Sequence, residues 1–514
     1  MTSPRLAALL ACLLGACLLG ACSDDSSVDA APPDAALPDA APPDAAPLSW
    51  SACDTTDWPA GYPTPAPGVE CTFIAVPLDH ADPGGATIEL RVARHKSVAF
   101  PTGKAIFQLA GGPGGTSVGQ SGLVPLLMPG LRDQYDLVYV DQRGTGGSGY
   151  LGCGAYWPAT TAEWESCAAS HADVDLAHYL TADAADDIDS VRVALGYDTI
   201  YLRGGSYGTR LGLEVLRRHG DTVTAAVLDG VAPPDEDMIR QTTALLDYGI
   251  GLLTADCDAD PACLAVSPTL AADLHARRDA LVAVPRPIQI GPYAEVEDEE
   301  MYVSLLETFV ADSYWRFDVP AAIHQAVLGD NTAWNALMSD AYGYTVTDRA
   351  SKREAAPRLR RAHPDLFGSY VAPGAYMEIA CAEWAPLAGT IAEVTAAADA
   401  TEWGHFDGVM WADLLAACPA WSPPALDPTQ WQPVTSSVPT LVIDGAIDMT
   451  TPPAWGAHAA ETLAQSRHVI VPQATHSAMV SDCGAAIIES FFLSDCDLDA
   501  IDLSCIDSMA LPVW

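Results

Sequence analysis

Short apolar runs punctuate the chain, each followed by a glycine-bearing or polar turn. They are Ala105 to Leu109, Leu137 to Val140, Thr199 to Leu202, Ala225 to Leu228, Thr440 to Ile443 and His468 to Val471. Apolarity that runs on without alternating marks strands buried on both faces, as in a parallel sheet. Between the second and third runs, Ala184, Ile188, Val191 and Leu195 fall at helical spacing, and Gly196 supplies a stop. Strands that alternate with helices predict an α/β sheet. From about residue 235 to 430 the rhythm breaks. That segment carries alanine, tryptophan and arginine in a mostly helical pattern and reads as an inserted cap. The strand pattern then resumes, so two parts of one core, 50–234 and 431–514, flank the insertion at 235–430.

Before the core lies a leader. Arg5 precedes an apolar run from Leu6 to Ala21, shorter than a comfortable bilayer span, which fits a secretory signal over 1–21. The run closes on Leu19-Gly20-Ala21-Cys22 and turns polar at Ser23-Asp24-Asp25, a pattern resembling the bacterial lipobox. Leu14-Gly15-Ala16-Cys17 also matches, but Cys22 sits at the polar boundary and is the expected lipidation site. Asp29, Asp34, Asp39 and Asp44 each then open an Asp-Ala-Ala unit with prolines in most gaps. Nothing there builds a core, so 22–49 reads as a disordered, partly polyproline-like tether. An exported protein, lipid-anchored to a bacterial membrane or cell surface (the outer membrane among the candidates), is the expectation.

The chain has 514 residues and a formal net charge of -43. Nothing in that balance neutralises phosphates, which argues against a nucleic-acid partner. Of 14 cysteines, 11 follow Cys22, spread as an oxidising compartment permits. Proximity suggests Cys53–Cys71, Cys153–Cys167 and Cys257–Cys263, and the odd count leaves one thiol unpaired. Connectivity is not fixed by spacing alone.

The candidate chemistry centres on "TIYLRGGSYGTRLGLEVL", residues 199–216. A buried strand ends in Gly204-Gly205-Ser206-Tyr207-Gly208 and a helical run follows at once, the context of a nucleophile elbow. A second match, Gly115-Thr116-Ser117-Val118-Gly119, follows a Gly-Pro turn and leads into no long periodic helix, so context selects Ser206. A serine hydroxyl needs a base, and the base an orienting carboxylate. His476, five residues past the strand ending at Val471, is the expected base. "LVIDGAIDMTTPP" offers Asp444 and Asp448 for the acid. Asp448 lies past the Gly445 turn, where a loop carboxylate can reach His476, and is preferred; Asp229 is a weaker alternative because it precedes the cap. Two amides should hold an oxyanion: the N–H of Tyr207 and one from Gly111-Gly112-Pro113-Gly114-Gly115, for which Gly112 is chosen. No Lys-Ser/Thr pair follows those glycines, so they do not form a phosphate loop. The alternating aspartates at 256–260 and 495–499 lack the glycine and glutamate of a calcium loop, and no HExxH is present. Neither a metal nor another cofactor is expected.

The ordered set "PLDHADPGG", "LAGGPGG", "VYVDQRGTGGSG", "LRGGSYGTRLGLEVLRRHG", "VLDGVAPP", "IACAEW" and "GAIDMTTPPAW" resembles the secreted tripeptidyl/prolyl aminopeptidase-like α/β-hydrolases. The likeness runs from about residue 50 to the end. It implies an α/β-hydrolase sheet with an inserted helical cap and serine hydrolysis of peptides from a free N-terminus. It carries the nucleophile to Ser206, the acid to Asp448 and the base to His476. It also implies Cys381–Cys418 and Cys483–Cys505, leaving Cys496 free, and an acidic cap residue for the substrate amine: Glu383, with Glu378 beside it. Four features depart from the family pattern: Ala110 where histidine is frequent, Arg203 where an aromatic residue precedes the elbow, Gln473-Ala474-Thr475-His476-Ser477 where a Gly-His form is more usual around the base, and Trp384 where a second acid often stands. An esterase on the same scaffold and a non-catalytic binding surface are the competing readings. Oligomeric state is not legible.

Overall fold

The computed structural model describes residues 48–514 apart from 57, 59–62, 155–157, 159, 291–292, 342–370 and 510–513. The expected leader, Cys22 and the tether as far as residue 47 lie outside the described residues. The strands are β1 (Ser51–Ala52), β2 (Glu70–Pro77), β3 (Thr87–His95), β4 (Ala105–Leu109), β5 (Asp136–Val140), β6 (Ile200–Gly205), β7 (Val223–Asp229), β8 (Arg286–Ile290), β9 (Tyr293–Glu297), β10 (Thr440–Gly445) and β11 (Ser466–Val471). Nine of them form one sheet in the order β1-β2-β3-β5-β4-β6-β7-β10-β11. From β5 to β11 all neighbours are parallel, and β1, β2 and β3 extend the sheet in antiparallel fashion. The six parallel strands are those the apolar runs predict. The antiparallel edge was not predicted, because β2 alternates buried and exposed positions and so breaks no apolar threshold.

Side-chain alternation along these strands feeds two cores. Ile106, Tyr201 and Val227 point to a face covered by Ile487, Ile488, Phe491 and Phe492 of the helix Asp482–Leu493. Phe107, Leu202 and Leu228 point to the other, covered by Ile188 and Val191 of the helix Thr181–Leu195 and by Leu211 and Val215 of the helix Tyr207–His219. Gly196 ends the first of these helices at φ 76°, a left-handed stop that suits glycine.

The described residues between β7 and β10 are mostly helical but also hold the β8–β9 hairpin, an element absent from the sequence expectation. They gather around two clusters, one built on Leu253, Phe309 and Trp334 and another on Met377, Trp384 and Trp411 that also takes in Trp164 and Tyr207. Disulfides join Cys53–Cys71, Cys153–Cys167, Cys257–Cys263, Cys381–Cys418 and Cys483–Cys505, while Cys496 is buried and unbridged. Among the described residues no helix is long and apolar enough to cross a membrane.

Register decides where chemistry can gather. Gly205 lies opposite Asp229, Asp229 opposite Ile443, and Gly445 opposite Val471. The carboxyl ends of β6, β7, β10 and β11 therefore share one edge, the edge at which open α/β sheets bind ligands.

Candidate active site

Ser206 sits where β6 meets the helix Tyr207–His219, at φ 55° and ψ -130°. Positive φ is strained for a residue with a side chain, and such strain needs support from its surroundings. The support is tight packing around glycine. A Cβ at Gly204 would lie 2.3 Å from Gly208 O, and one at Gly208 would lie 2.2 Å from Leu109 O. The backbone N–H of Ser206 donates to Asp229 O at 2.9 Å. Tyr207 opens the helix, where an N–H has no acceptor within its own helix.

The loop after β4 packs on this turn. A Cβ on Gly111 would lie 3.0 Å from the Ser206 Cβ, so the residue before Gly112 leaves no room for a side chain beside the serine. Asp141 holds the far side of that loop. Its Oδ1 accepts from Thr116 Oγ1 at 2.7 Å and from Val118 N at 2.9 Å, and burial raises its carboxyl to about 6 against the pull of these bonds. Ser117, the second serine in a Gly-x-Ser-x-Gly frame, is buried and donates its hydroxyl to Gln108 O at 2.6 Å.

Asp448 and His476 are in contact, with Oδ2 2.9 Å from Nδ1. A carboxylate only accepts, so Nδ1 carries the proton and Nε2 is left as the basic nitrogen. Asp448 is buried and fixed through its other oxygen, which accepts from Thr450 N and Thr451 N at 2.8 and 2.9 Å. Thr451 Oγ1 completes the set at 2.9 Å from Asp448 Oδ2 and 3.1 Å from His476 Nδ1. Sequence reasoning missed Thr451. The signal was available, since an aspartate followed closely by threonines favours a turn that folds back on the carboxylate. Burial alone would push the His476 imidazole down. The charge and hydrogen bond of Asp448, reinforced by Asp229 and Asp444, outweigh it and lift the group above its ordinary value.

Gly230 joins the two halves. It follows Asp229 at φ 69°, and a Cβ there would lie 3.4 Å from both Asp448 Oδ2 and His476 Cε1. The residue that holds the Ser206 amide is thus followed directly by a glycine whose missing side chain would meet the acid and the imidazole.

The alternative acids are engaged elsewhere. Asp444 bonds His468 Nε2 at 2.7 Å and Val231 N at 3.2 Å, and burial raises it to about 6 despite the histidine. Asp229 accepts from Arg203 Nη2 at 2.7 Å and from Ser477 Oγ and Ala478 N at 2.7 Å. Arg203, unusual before the elbow, is therefore one half of a buried ion pair.

Of the two acids expected at the substrate amine, Glu383 is already paired. Its Oε2 accepts from Arg210 Nε at 2.9 Å, and its Oε1 from Thr181 N at 2.8 Å. Its charge is balanced by Arg210. Glu378 differs: it is fully buried, and neither carboxylate oxygen has a hydrogen-bond partner among the described residues. Burial, then the neighbouring charge of Glu383, raises it to about 8. It lies on the helix Pro373–Ile379, entered at Ala372, whose N–H donates to Gly114 O at 2.8 Å. Among the described residues no group of three or more His, Cys, Asp or Glu is arranged to hold a metal.

The strand order and this site define an α/β-hydrolase, and the family model for the alpha/beta hydrolase fold matches residues 104–294. The TAP-like protein model matches residues 405–505. It is 28% identical over 269 residues to serine protease Hip1 of Mycobacterium tuberculosis, covering 46% of this chain and 50% of that protein. It is 28% identical over 219 residues to tripeptidyl aminopeptidase of Streptomyces lividans, covering 37% of this chain and 40% of that one. Carboxylesterase B of Mycobacterium tuberculosis is 29% identical over 229 residues, covering 38% of this chain and 42% of that protein. The matched part spans half the length of these relatives or less.

Proposed function

We propose that the protein is an exported serine aminopeptidase that cleaves peptides from a free N-terminus through an acyl-enzyme on Ser206. The observation that carries this reading is the contact of His476 with Asp448 and Thr451, set against Gly230 beside the Ser206 turn. In this mechanism His476 Nε2 takes the Ser206 proton as Oγ attacks the scissile carbonyl. Asp448 holds the imidazolium that results, and His476 then gives the proton to the leaving amine. The N–H groups of Tyr207 and Gly112 receive the developing oxyanion. Water, activated by the same imidazole, releases the acyl group and restores Ser206. The inserted helical segment serves as the cap over the cleft.

Selection for amino termini is assigned to Glu378 rather than Glu383. A buried carboxylate without a partner is costly alone and gains most from an incoming ammonium. The names of the Streptomyces and Hip1 relatives support a peptide substrate. One observation favours an ester instead, the comparable identity to carboxylesterase B. Digestion of a mixed peptide pool, with free and acetylated N-termini compared by mass spectrometry, separates the two. Release of short N-terminal fragments from free peptides alone supports the proposal; equal cleavage of acetylated peptides, or of esters only, overturns it.

Export is supported by five disulfides among the described residues, since such bonds persist in oxidising compartments. Anchoring rests on the lipobox-like run ending at Cys22. Mass analysis of the mature N-terminus tests it: a diacylglyceryl Cys22 is expected, and an unlipidated soluble protein contradicts it.

A further inference from the structure

Asp229 was considered above as an acid for the imidazole. Its surroundings give it another task. Its backbone carbonyl accepts the Ser206 N–H at 2.9 Å. Its carboxylate reaches the other way, into the turn that follows His476: Oδ2 accepts from Ser477 Oγ at 2.7 Å, Oδ1 from Ala478 N at 2.7 Å, and Oδ2 from Met479 N at 3.3 Å. Arg203 Nη2, from the strand that ends in the elbow, completes the shell at 2.7 Å. Asp229 itself is fully buried. One residue thus ties the nucleophile's turn to the base's turn, through main chain on one side and side chain on the other.

The turn after His476 needs such a tie. Ser477 stands at φ 61°, a left-handed conformation that is strained for serine. Its hydroxyl and the next N–H are both held by Asp229, which supports the strained conformation. The backbone of His476 runs directly into this residue, and the position of the imidazole follows from it.

We propose that Asp229, held by Arg203, is a positioning residue that sets the distance and angle between Ser206 and His476 for proton transfer. This rests on the serine-hydrolase reading above. The acid contact of His476 belongs to Asp448; Asp229 acts through the loop and through its charge. Groups facing the imidazole are Asp448 and Asp444 from β10 and the loop after it, and Asp229 from β7. Asp229 carries Arg203 from β6 as its counter-charge.

The test measures kcat per active site, with sites counted by titration with a serine-directed phosphonate, together with KM and the acid limb of kcat/KM. Asp229→Asn keeps the size but weakens every bond and removes the charge. Ser477→Ala deletes one hydroxyl and leaves Asp229 paired with Arg203, and serves where Asp229→Asn folds poorly. A misplacement of about 1 Å costs on the order of 100-fold in rate. For Asp229→Asn we expect kcat per titrated site to fall roughly 10- to 100-fold with KM within about twofold, and for Ser477→Ala a smaller fall in the same direction. Catalysis needs His476 neutral, so rate is lost as pH falls through its pKa. Removing a negative charge that raises that pKa moves the acid limb of Asp229→Asn to lower pH. If both variants keep the wild-type kcat per titrated site and acid limb, losing only melting temperature or yield of titratable protein, Asp229 is merely structural and the proposal fails. A wild-type protein in which the phosphonate titrates no site would instead refute the hydrolase reading itself.

Discussion

Glu378→Gln separates a substrate-binding carboxylate from a buried structural one. Glu378 is fully buried, without a hydrogen-bond partner among the described residues, and raised from 4.5 to about 8. Below pH 4.5 the group is protonated in both folded and unfolded chains and does not affect stability. Above that, the unfolded chain ionises first, so stability is lost progressively until pH passes about 8. At about 1.36 kcal/mol per pH unit, the cost is on the order of 3 kcal/mol at pH 7 and approaches 5 kcal/mol above pH 8. Glutamine carries no charge, so the variant escapes this loss. The same figures set the effect on substrate. At pH 7 about one tenth of the free enzyme has Glu378 ionised, which weakens apparent binding of an ammonium about tenfold below its intrinsic value. A charge-assisted hydrogen bond contributes about 1.5–3 kcal/mol. At pH 8, where about half is ionised, Glu378→Gln should therefore raise KM for free-amine peptides roughly tenfold and leave a small neutral ester unaffected. Urea unfolding at pH 5 and pH 8, paired with steady-state kinetics on both substrates, reads both effects. Identical pH dependence of stability in variant and wild type, or equal losses on peptide and ester, would refute the reasoning.

Two further outcomes follow from contacts at the site and around it. Thr451→Val keeps volume but removes the hydroxyl shared by Asp448 and His476, so kcat should fall about tenfold or more with little change in KM, measured by steady-state kinetics. Replacing Cys381 and Cys418 by alanine opens a bridge across 37 positions of sequence, which on loop-closure entropy lowers stability by about 4 kcal/mol in denaturant unfolding; an unchanged midpoint would contradict that.

Much of this arrangement was legible in the sequence because it rests on local rules. A strand buried on both faces must be continuously apolar, so β4, β6 and β10 announce themselves. An elbow as sharp as that at Ser206 admits only glycine at Gly204 and Gly208, where any Cβ would strike backbone. The Asp448–His476 contact follows from loop order at a shared sheet edge. What the sequence hid depends on distant partners. Arg203 looked like a departure from pattern until Asp229, on the neighbouring strand, appeared as its counter-charge. Glu383 and Glu378 are five positions apart and chemically alike, yet Arg210 neutralises one and leaves the other alone. The β8–β9 hairpin escaped because its strands are five residues each, too short for their alternation to stand out among helices.

The central claim is that Ser206 is the nucleophile of this site. Reaction with a serine-directed phosphonate, followed by peptide mapping, tests it most directly. The account predicts one adduct, on Ser206, lost in Ser206→Ala and unaffected by Ser117→Ala, since the Ser117 hydroxyl is buried and bonded to Gln108 O. An adduct on Ser117, or a folded wild-type protein that takes up no phosphonate, would contradict it.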